Sequence, residues 1–523
     1  MIMPAAAAIQ IAEHAGPDAP IARVPSAVTA FVGRCLKGPV GVPVTLSSFA
    51  EFQKHFGGLW QPSTLSYAIE HFFDNGGRTA IVVRVCNGGR APTITLPGEQ
   101  GALVLEGLAP GSREHLRASI DYDGIDRADV ERFNLVVQRV GGPGTGLPGS
   151  GLIEQQEIFR RVSVRRDDPR FIDDALLESR LVRLVGEAPA QRPALPPPSA
   201  PGLAVGYVGA ANDGDDGSPL TDYDVIGSAP AGTGLFALAA TPFNLLCIPP
   251  LDREREVGAS TLLVAARFCR ERQALLLVDP PRAWEGASAA LAGLRDWPFR
   301  SDSAVMFFPW LMAYDRLRGR DAPFAPSAAA AGMLARFDET VPPWAAPPAT
   351  QPQLRPRFRP ACELEDADRQ RLLHAGINAL SALRRAALDP GGPRTLAAGN
   401  LGATDWRYLA ARRLAQLVAG SVEQGTRWTV FAGNGPGTWR RVRVQVESFL
   451  EALDAEGAFA GDDQQERFYV VCDERLNASG DAGLRILVAF AASRRGGFHA
   501  FTVTHQPGGS DLRWVSVNRS PLG

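Results

Sequence analysis

The sequence predicts a mixed α/β (α+β) chain, and three observations carry that prediction. Apolar, β-branched runs alternate with helix-period segments over residues 27–85 and again over 203–359. Between them, residues 91–187 are β-rich, with alternating strands separated by turns. Beyond residue 361, two amphipathic helix patterns lead into a series of strands. A chain of 523 residues has room for about two to four domains.

Taken in order, AVTAFVGR (27–34) reads as a buried strand. Ser48-Phe49-Ala50-Glu51 is a capping-box pattern opening a short helix with Phe49, Phe52 and Phe56 on one face. In LSYAIEHFFDNGGRTAIVVRV (65–85), Leu65, Ala68, Ile69, Phe72 and Phe73 recur at helical spacing, and TAIVVRV is strand-like. A phosphate-binding glycine turn runs strand, glycines, helix. Here the order is reversed, so Asn75-Gly76-Gly77 ends a helix.

ALVLEGL, LRASIDYDG, RFNLVVQRV and EIFRRVSV are the strands of the β-rich part, followed by one short helix, RFIDDALLES. The next part alternates strand PFNLLCIPP, helix TLLVAARFCRER, strand ALLLVDPP and strand SAVMFFPW. EDADRQRLLHAGINAL is expected to be helical throughout. Trp406, Leu409, Leu414 and Leu417 line another helix, with Thr404 or Asp405 as its N-cap. RWTVFAG is expected to be a strand. Trp439, Val442, Val446, Phe449, Leu450 and Leu453 form a helical stripe, and RFYVVCD, LRILVAF, FHAFTVTH and DLRWVSVN are strands. Pro/Gly-rich stretches at 141–151, 188–202 and 341–360 are loops or linkers.

Composition narrows the function. Hydrophobic residues make up 45% and charged residues 21%, as in ordinary globular chains. A net charge of −2 gives no global attraction to nucleic acid or to an anionic membrane. Six dispersed cysteines without a CxxC pair point to reduced thiols and synthesis in the cytoplasm. The first residues lack the basic lead of a signal peptide. The most apolar run, GLFALAATPFNLLCIPPL, is broken by Pro242, Asn244, Pro249 and Pro250 and reads as a buried strand and turn.

A search for chemistry finds no GxxxxGK[ST], HExxH or GxSxG. His499 and His505 straddle one strand and read as strand-face residues, not a metal pair. NDGDDGS (212–218) and DYDG (121–124) lack the closing Glu of a calcium loop and read as surface turns. No catalytic residue, cofactor or metal site is assigned. Arg440, Arg441 and Arg443 cluster at the start of the long amphipathic helix, either as a solvated face or as a partner contact.

Several segments carry a family likeness. AVTAFVGRCLKGPVGVPVTLSSFAEFQKHFGG with LSYAIEHFFDNGGRTAIVVRV resembles the N-terminal core of contractile tail sheath proteins. These are the sheaths of myophage tails, phage-tail-like bacteriocins and extracellular contractile injection systems. DDPRFIDDALLESRLVRLV, PFNLLCIPP, ALLLVDPP and SAVMFFPW are similar to the inserted domains of that family. GINAL, DWRYLAARRL, EQGTRWTVFAGN, VRVQVESFLEAL and FYVVCDE are similar to its C-terminal core. Departures are the stretch DPGGPRTLAAGN, which lacks the family's tryptophan-containing turn, and an alanine-rich N-terminal arm. After FHAFTVTH, QPGGSDLRWVSVNRSPLG reads as an added hairpin strand.

The resemblance implies a core of mixed sheet and flanking helices built from 21–90 and 361–505. It places a β-rich insertion at 91–196, an outer α/β insertion at 197–360, and terminal arms at 1–20 and 506–523. Arms in this family pair with neighbouring subunits. Ile9, Gln10, Ile11, Ala12 and Glu13 alternate like a short strand and are detached from the core by Gly16-Pro17 and Pro20, which suits strand addition to another copy. Phe498, Ala500, Phe501, Thr502 and Val503 are the expected C-terminal pairing strand, and Arg440, Arg441, Arg443 and Glu447 the expected tube-facing helix.

The partners implied are further copies of the chain in helically stacked hexameric rings, an inner tube protein, and baseplate and tail-terminator proteins. No nucleic acid, membrane, cofactor or enzymatic activity is expected. Assembly would occur in the bacterial cytoplasm, within a particle that is later released. A non-contracting paralogue that adapts sheath to baseplate or cap is the alternative, and an enzyme with a scattered site the remote one.

Overall fold

The computed structural model describes residues 19–141, 152–198, 206–210, 214–297, 299–345, 353–381, 392–398, 405–492 and 498–515. At its centre is a seven-stranded sheet. Its order is Ile377–Ala379, Ala304–Phe308, Leu275–Val278, Leu245–Cys247, Thr29–Gly33, Ala80–Arg84 and Val44–Leu46. All neighbours are parallel except the last pair. The five middle strands are buried at every position, as their unbroken apolar runs require of a parallel sheet covered on both faces.

Helices Phe49–Phe56, Thr64–Asp74 and Ser327–Phe337 cover one face, packing Phe52, Phe56, Phe72 and Phe337 against Phe31 and Val82. Helices Ala259–Glu271, Ala287–Arg295 and Asp366–Ala375 cover the other, with Phe268, Leu294 and Leu372 against Leu246 and Leu276. The first helix starts as expected: the Ser48 side chain accepts from the Glu51 backbone N–H. Gly76 has φ +105°, and the Gly77 N–H donates to the Phe72 carbonyl at 2.9 Å. Cβ atoms there would lie 2.8 Å from Arg336 Cβ and 2.3 Å from the Phe72 ring, so both glycines close a helix end against packed side chains.

The sheet revises the expected domain plan. Strands 245–247, 275–278 and 304–308 belong to the segment read as an outer insertion, yet they continue the same hydrogen-bonded sheet as 29–33. The two long N-terminal strands cannot bury both faces alone, and three more apolar strands complete the layer. The helix expected over EDADRQRLLHAGINAL ends at Ala375, where Gly376 at φ +96° turns the chain. Ile377–Ala379 then pairs with Met306–Phe308.

Residues 93–184, joined by 208–209, form two further sheets around one core of Ile94, Leu96, Leu103, Leu105, Phe133 and Leu135. Strands Thr93–Gly98, Gly101–Gly107 and Val182–Leu184 make one. Val208–Gly209, Leu116–Asp121, Arg132–Gly141 and Leu152–Ser163 make the other.

The C-terminal part is a separate layer with its own core. Helices Leu409–Gly425 and Pro436–Ala455 pack on an antiparallel sheet ordered Phe468–Val471, Leu484–Phe490, His499–Gln506 and Gly509–Val515. The expected stripe Trp439, Val442, Val446, Phe449, Leu450 and Leu453 is the buried face of the second helix. Two details differ. RWTVFAG contains the 3-10 turn Arg427–Phe431, because it follows a helix end directly and Thr429 N–H bonds back to the Thr426 carbonyl. The helix near Trp406 starts only at Leu409: Thr395 N–H donates to the Arg407 carbonyl at 2.8 Å, and Tyr408 at the cap is extended.

Candidate assembly surfaces

The segment 19–28 reaches the central sheet as a strap across the C-terminal helices. Gln445 Nε2 donates to the Ala19 carbonyl at 2.6 Å, and the Val24 N–H donates to Ser421 Oγ at 3.0 Å. Arg23 Nη1 donates to Glu456 Oε2 at 2.9 Å. Ile21 is buried in the C-terminal core, in a slot left by Gly425, where a Cβ would stand 2.8 Å from Ile21 Cγ1. Ser26 Oγ donates to Asp338 at 2.6 Å. The strap thus ties both helices of the C-terminal layer to the first strand of the sheet. The strand-like residues Ile9, Gln10, Ile11, Ala12 and Glu13 lie outside the described residues.

Where the strap begins, it borders a groove of about 550 Å³ along the Pro436–Ala455 helix. Arg440, Arg441, Val444 and Ser448 line it, and Val444 is 53% exposed. Arg440 and Arg441 border the groove, with the Arg441 guanidinium 5.9 Å from the Trp428 ring. Arg443 instead lies 3.8 Å from Glu447 in an i,i+4 ion pair, both half-buried. Burial raises the Glu447 carboxyl pKa, with Arg443 opposing the shift.

The expected pairing strand at the C-terminus is already paired within the chain. Ala500, Phe501, Thr502 and Val503 sit in the 499–506 strand, bonded on one side to 484–490 and on the other to 509–515. Phe498 precedes that strand and packs its ring edge-on to Tyr469 at 5.2 Å. Ala500, Phe501, Thr502 and Val503 therefore have both strand edges taken up within the chain, which corrects the expectation for them. The added tail forms the further hairpin strand that its sequence predicts, and this strand becomes the edge. Among the described residues nothing pairs with the outer side of Gly509–Val515. Trp514 anchors the strand, packing against Phe501 at 5.3 Å and Trp406 at 5.1 Å while its indole N–H donates to Gln273 at 2.7 Å.

Comparison with solved structures bears on the whole arrangement. The sheath tail protein Lin1278 of Listeria innocua superposes with a TM-score of 0.59 at 10% identity, over 92% of this chain and 94% of that one. The sheath tail protein DSY3957 of Desulfitobacterium hafniense matches with a TM-score of 0.51 at 12% identity, covering 95% and 99%. The helical sheath of the anti-feeding prophage in its contracted state matches at 0.50 and 17% identity, covering 94% and 97%. The chain has the tail-sheath fold.

No protein-family model and no curated protein matches the chain. Within the tail-sheath fold, no cluster of three or more His, Cys, Asp or Glu side chains that could hold a metal occurs among the described residues. Among them also, no helix is long and apolar enough to cross a membrane. His499 stacks on Trp406 at 3.9 Å, and His505 bonds Thr426 and Ser510 at 2.7 Å each, so both are structural strand residues.

Sequence reading missed the strap's anchors and the adjacent buried arginines Arg412 and Arg413 on the Leu409–Gly425 helix. A signal for the strap was present: Gly420 and Gly425 leave gaps on one side of that helix, and Val24 and Ile21 occupy them.

Proposed function

We propose that this chain is a structural subunit of a contractile, tail-like sheath. Copies polymerise as helically stacked hexameric rings around an inner tube protein, held between a baseplate and a tail terminator. A signal from the baseplate releases a cooperative rigid-body rearrangement that drives the tube through a target envelope. The energy is stored at assembly in a metastable packing, and no nucleotide is consumed. The observation that carries this reading is the agreement of the whole chain, over more than nine-tenths of its length, with sheath structures that include a contracted one.

Two features support polymerisation. The free edge of Gly509–Val515 is a template for a strand from another copy, and the alternating segment 9–13 is of suitable length and pattern. Each such hydrogen bond contributes about 0.5–1.5 kcal/mol net, so single arms are weak and a lattice of them holds by effective concentration. Head-to-tail contacts that do not close produce an open helix of subunits. Arg440 and Arg441, beside the groove, are the proposed contacts to the tube. Assembly takes place in the bacterial cytoplasm, before the particle is released.

Negative-stain electron microscopy of the purified full chain tests the proposal. Long hollow polymers are expected. A chain that stays monomeric alone and with its co-expressed tube protein refutes the trunk-sheath reading in favour of an adapter.

A further inference from the structure

The strand order of the central sheet reverses at Thr29–Gly33, with Ala80–Arg84 on one side and Leu245–Cys247 on the other. In open α/β sheets, ligands bind outside the carboxyl ends of the strands near such a reversal. A pocket of about 240 Å³ lies to one side of that reversal, at the carboxyl ends of the neighbouring strands. Pro249 and Pro250 follow the 245–247 strand into it, Arg282 follows Leu275–Val278, and Trp310 follows Ala304–Phe308. An apolar cavity of about 150 Å³ holds benzene, so this one has room for a six-membered ring with a small substituent.

Its inner wall is aromatic. Tyr67, His71 and Phe324 meet there, with ring centroids 5.2 Å apart for Tyr67–Phe324 and 4.7 Å for His71–Phe324. His71 is 2% exposed and lines the pocket. Burial, with help from Arg357, lowers its pKa to about 3, so the imidazole at the pocket wall is neutral and can donate or accept.

The rim is cationic after its internal pairings are counted. Asp315, fully buried, accepts from Arg253 Nη2 at 2.7 Å and from Tyr67 OH at 3.0 Å. Asp252 and Asp321 are paired with Arg255 and Arg359, which lie outside the pocket lining. Arg282 and Arg320 form no ion pair with any described carboxylate, and both are exposed at the rim. The Arg282 guanidinium lies 5.9 Å from the Trp310 ring and donates from Nη1 to the Arg253 carbonyl at 3.2 Å.

From these features the geometry points to a binding site for a carboxylate on a planar, apolar body. The ring would sit against Tyr67 and Phe324, an oxygen would meet His71 or the guanidiniums, and Arg282 and Arg320 would balance the charge. The chemistry is that of a free aromatic acid. The site does not depend on the assembly reading above.

Isothermal titration of the full, unpolymerised chain with phenylacetate tests the site, with phenylacetamide and inorganic phosphate as controls. Saturable binding of phenylacetate is expected, with the amide and phosphate each about tenfold weaker or more. The double variant Arg282→Gln/Arg320→Gln, which alters only rim side chains, should weaken phenylacetate about tenfold while leaving the melting temperature unchanged. His71→Phe should weaken it as well, which checks the inner wall independently. Absence of saturation, equal binding of the amide or phosphate, or full affinity in the double variant overturns the proposal.

Discussion

Arg413 and Asp338 join the two halves of the molecule. Arg413, on the first C-terminal helix, donates from Nη1 to Asp338 Oδ1 at 2.8 Å, just beyond the Ser327–Phe337 helix. Its other terminal nitrogen bonds the second carboxylate oxygen, which also accepts from Ser26 Oγ at 2.6 Å. One carboxylate thus holds the strap, the sheet layer and the C-terminal layer together, with Arg413 6% and Asp338 11% exposed at the side chain.

Removing one partner leaves a charge buried without compensation. Arg413→Ala should therefore destabilise the chain by about 3–5 kcal/mol. Denaturant unfolding followed by C-terminal-layer tryptophan fluorescence would read this as a lowered midpoint. The double variant Arg413→Ala/Asp338→Ala should lose less than the sum of the two single variants.

The strap depends on the absence of a side chain at Gly425. Gly425→Ala places a methyl 2.8 Å from Ile21 Cγ1 and should cost about 1–3 kcal/mol through overpacking. Limited proteolysis should show faster cleavage within 19–28, while the melting of the central sheet changes little.

Gly77→Ala should be the most damaging single change in the 65–85 unit. Its methyl would meet the Phe72 ring at 2.3 Å, so the helix end must shift away from the sheet. Loss of soluble expression or a lowered melting temperature is expected. Titration of the wild-type chain with ATP should give no saturable signal, since these glycines close a helix C-terminus and present no N-terminal anion site.

Acid should weaken the fold through two buried histidines. The pKa of His71 is depressed to about 3 and that of His505 to about 4, both chiefly by burial. Below about pH 6.5 the unfolded chain binds protons that the folded chain does not, so stability rises with pH across that window and falls as pH drops toward these values. The slope is at most about 1.4 kcal/mol per pH unit for each histidine. His71→Phe removes one titrating group from a pocket of rings. Its denaturation midpoint should fall less between pH 7 and pH 4.5 than that of the wild type.

Much of the fold was legible because it rests on local patterns. The buried stripe from Trp439 to Leu453, the Ser48 cap, the glycine pair after Asp74 and the 509–515 strand all follow from spacing and turn chemistry within a few residues. What failed was decided by distant partners. RWTVF is β-branched and aromatic, yet Trp428 donates to Gln445 at 3.0 Å and packs as a turn between helices. GINAL continues a helical pattern, but Gly376 breaks it and the 304–308 edge draws Ile377–Ala379 into the sheet. The domain boundary near 197 was misjudged for the same reason, because which strands share a sheet is set by long-range pairing that no local signal records.

The assembly surfaces were legible in outline only. The internal pairing of Phe501 and Val503 follows from the hairpin partner beyond Gly509.

Cryo-electron microscopy of the polymer tests the central claim most directly. A map is expected to show subunits stacked around a hollow axis, with a strand from one copy, drawn from residues 9–13, hydrogen-bonded along the outer edge of 509–515 in another. Both termini folded back onto their own subunit, with no sheet shared between copies, would contradict the account.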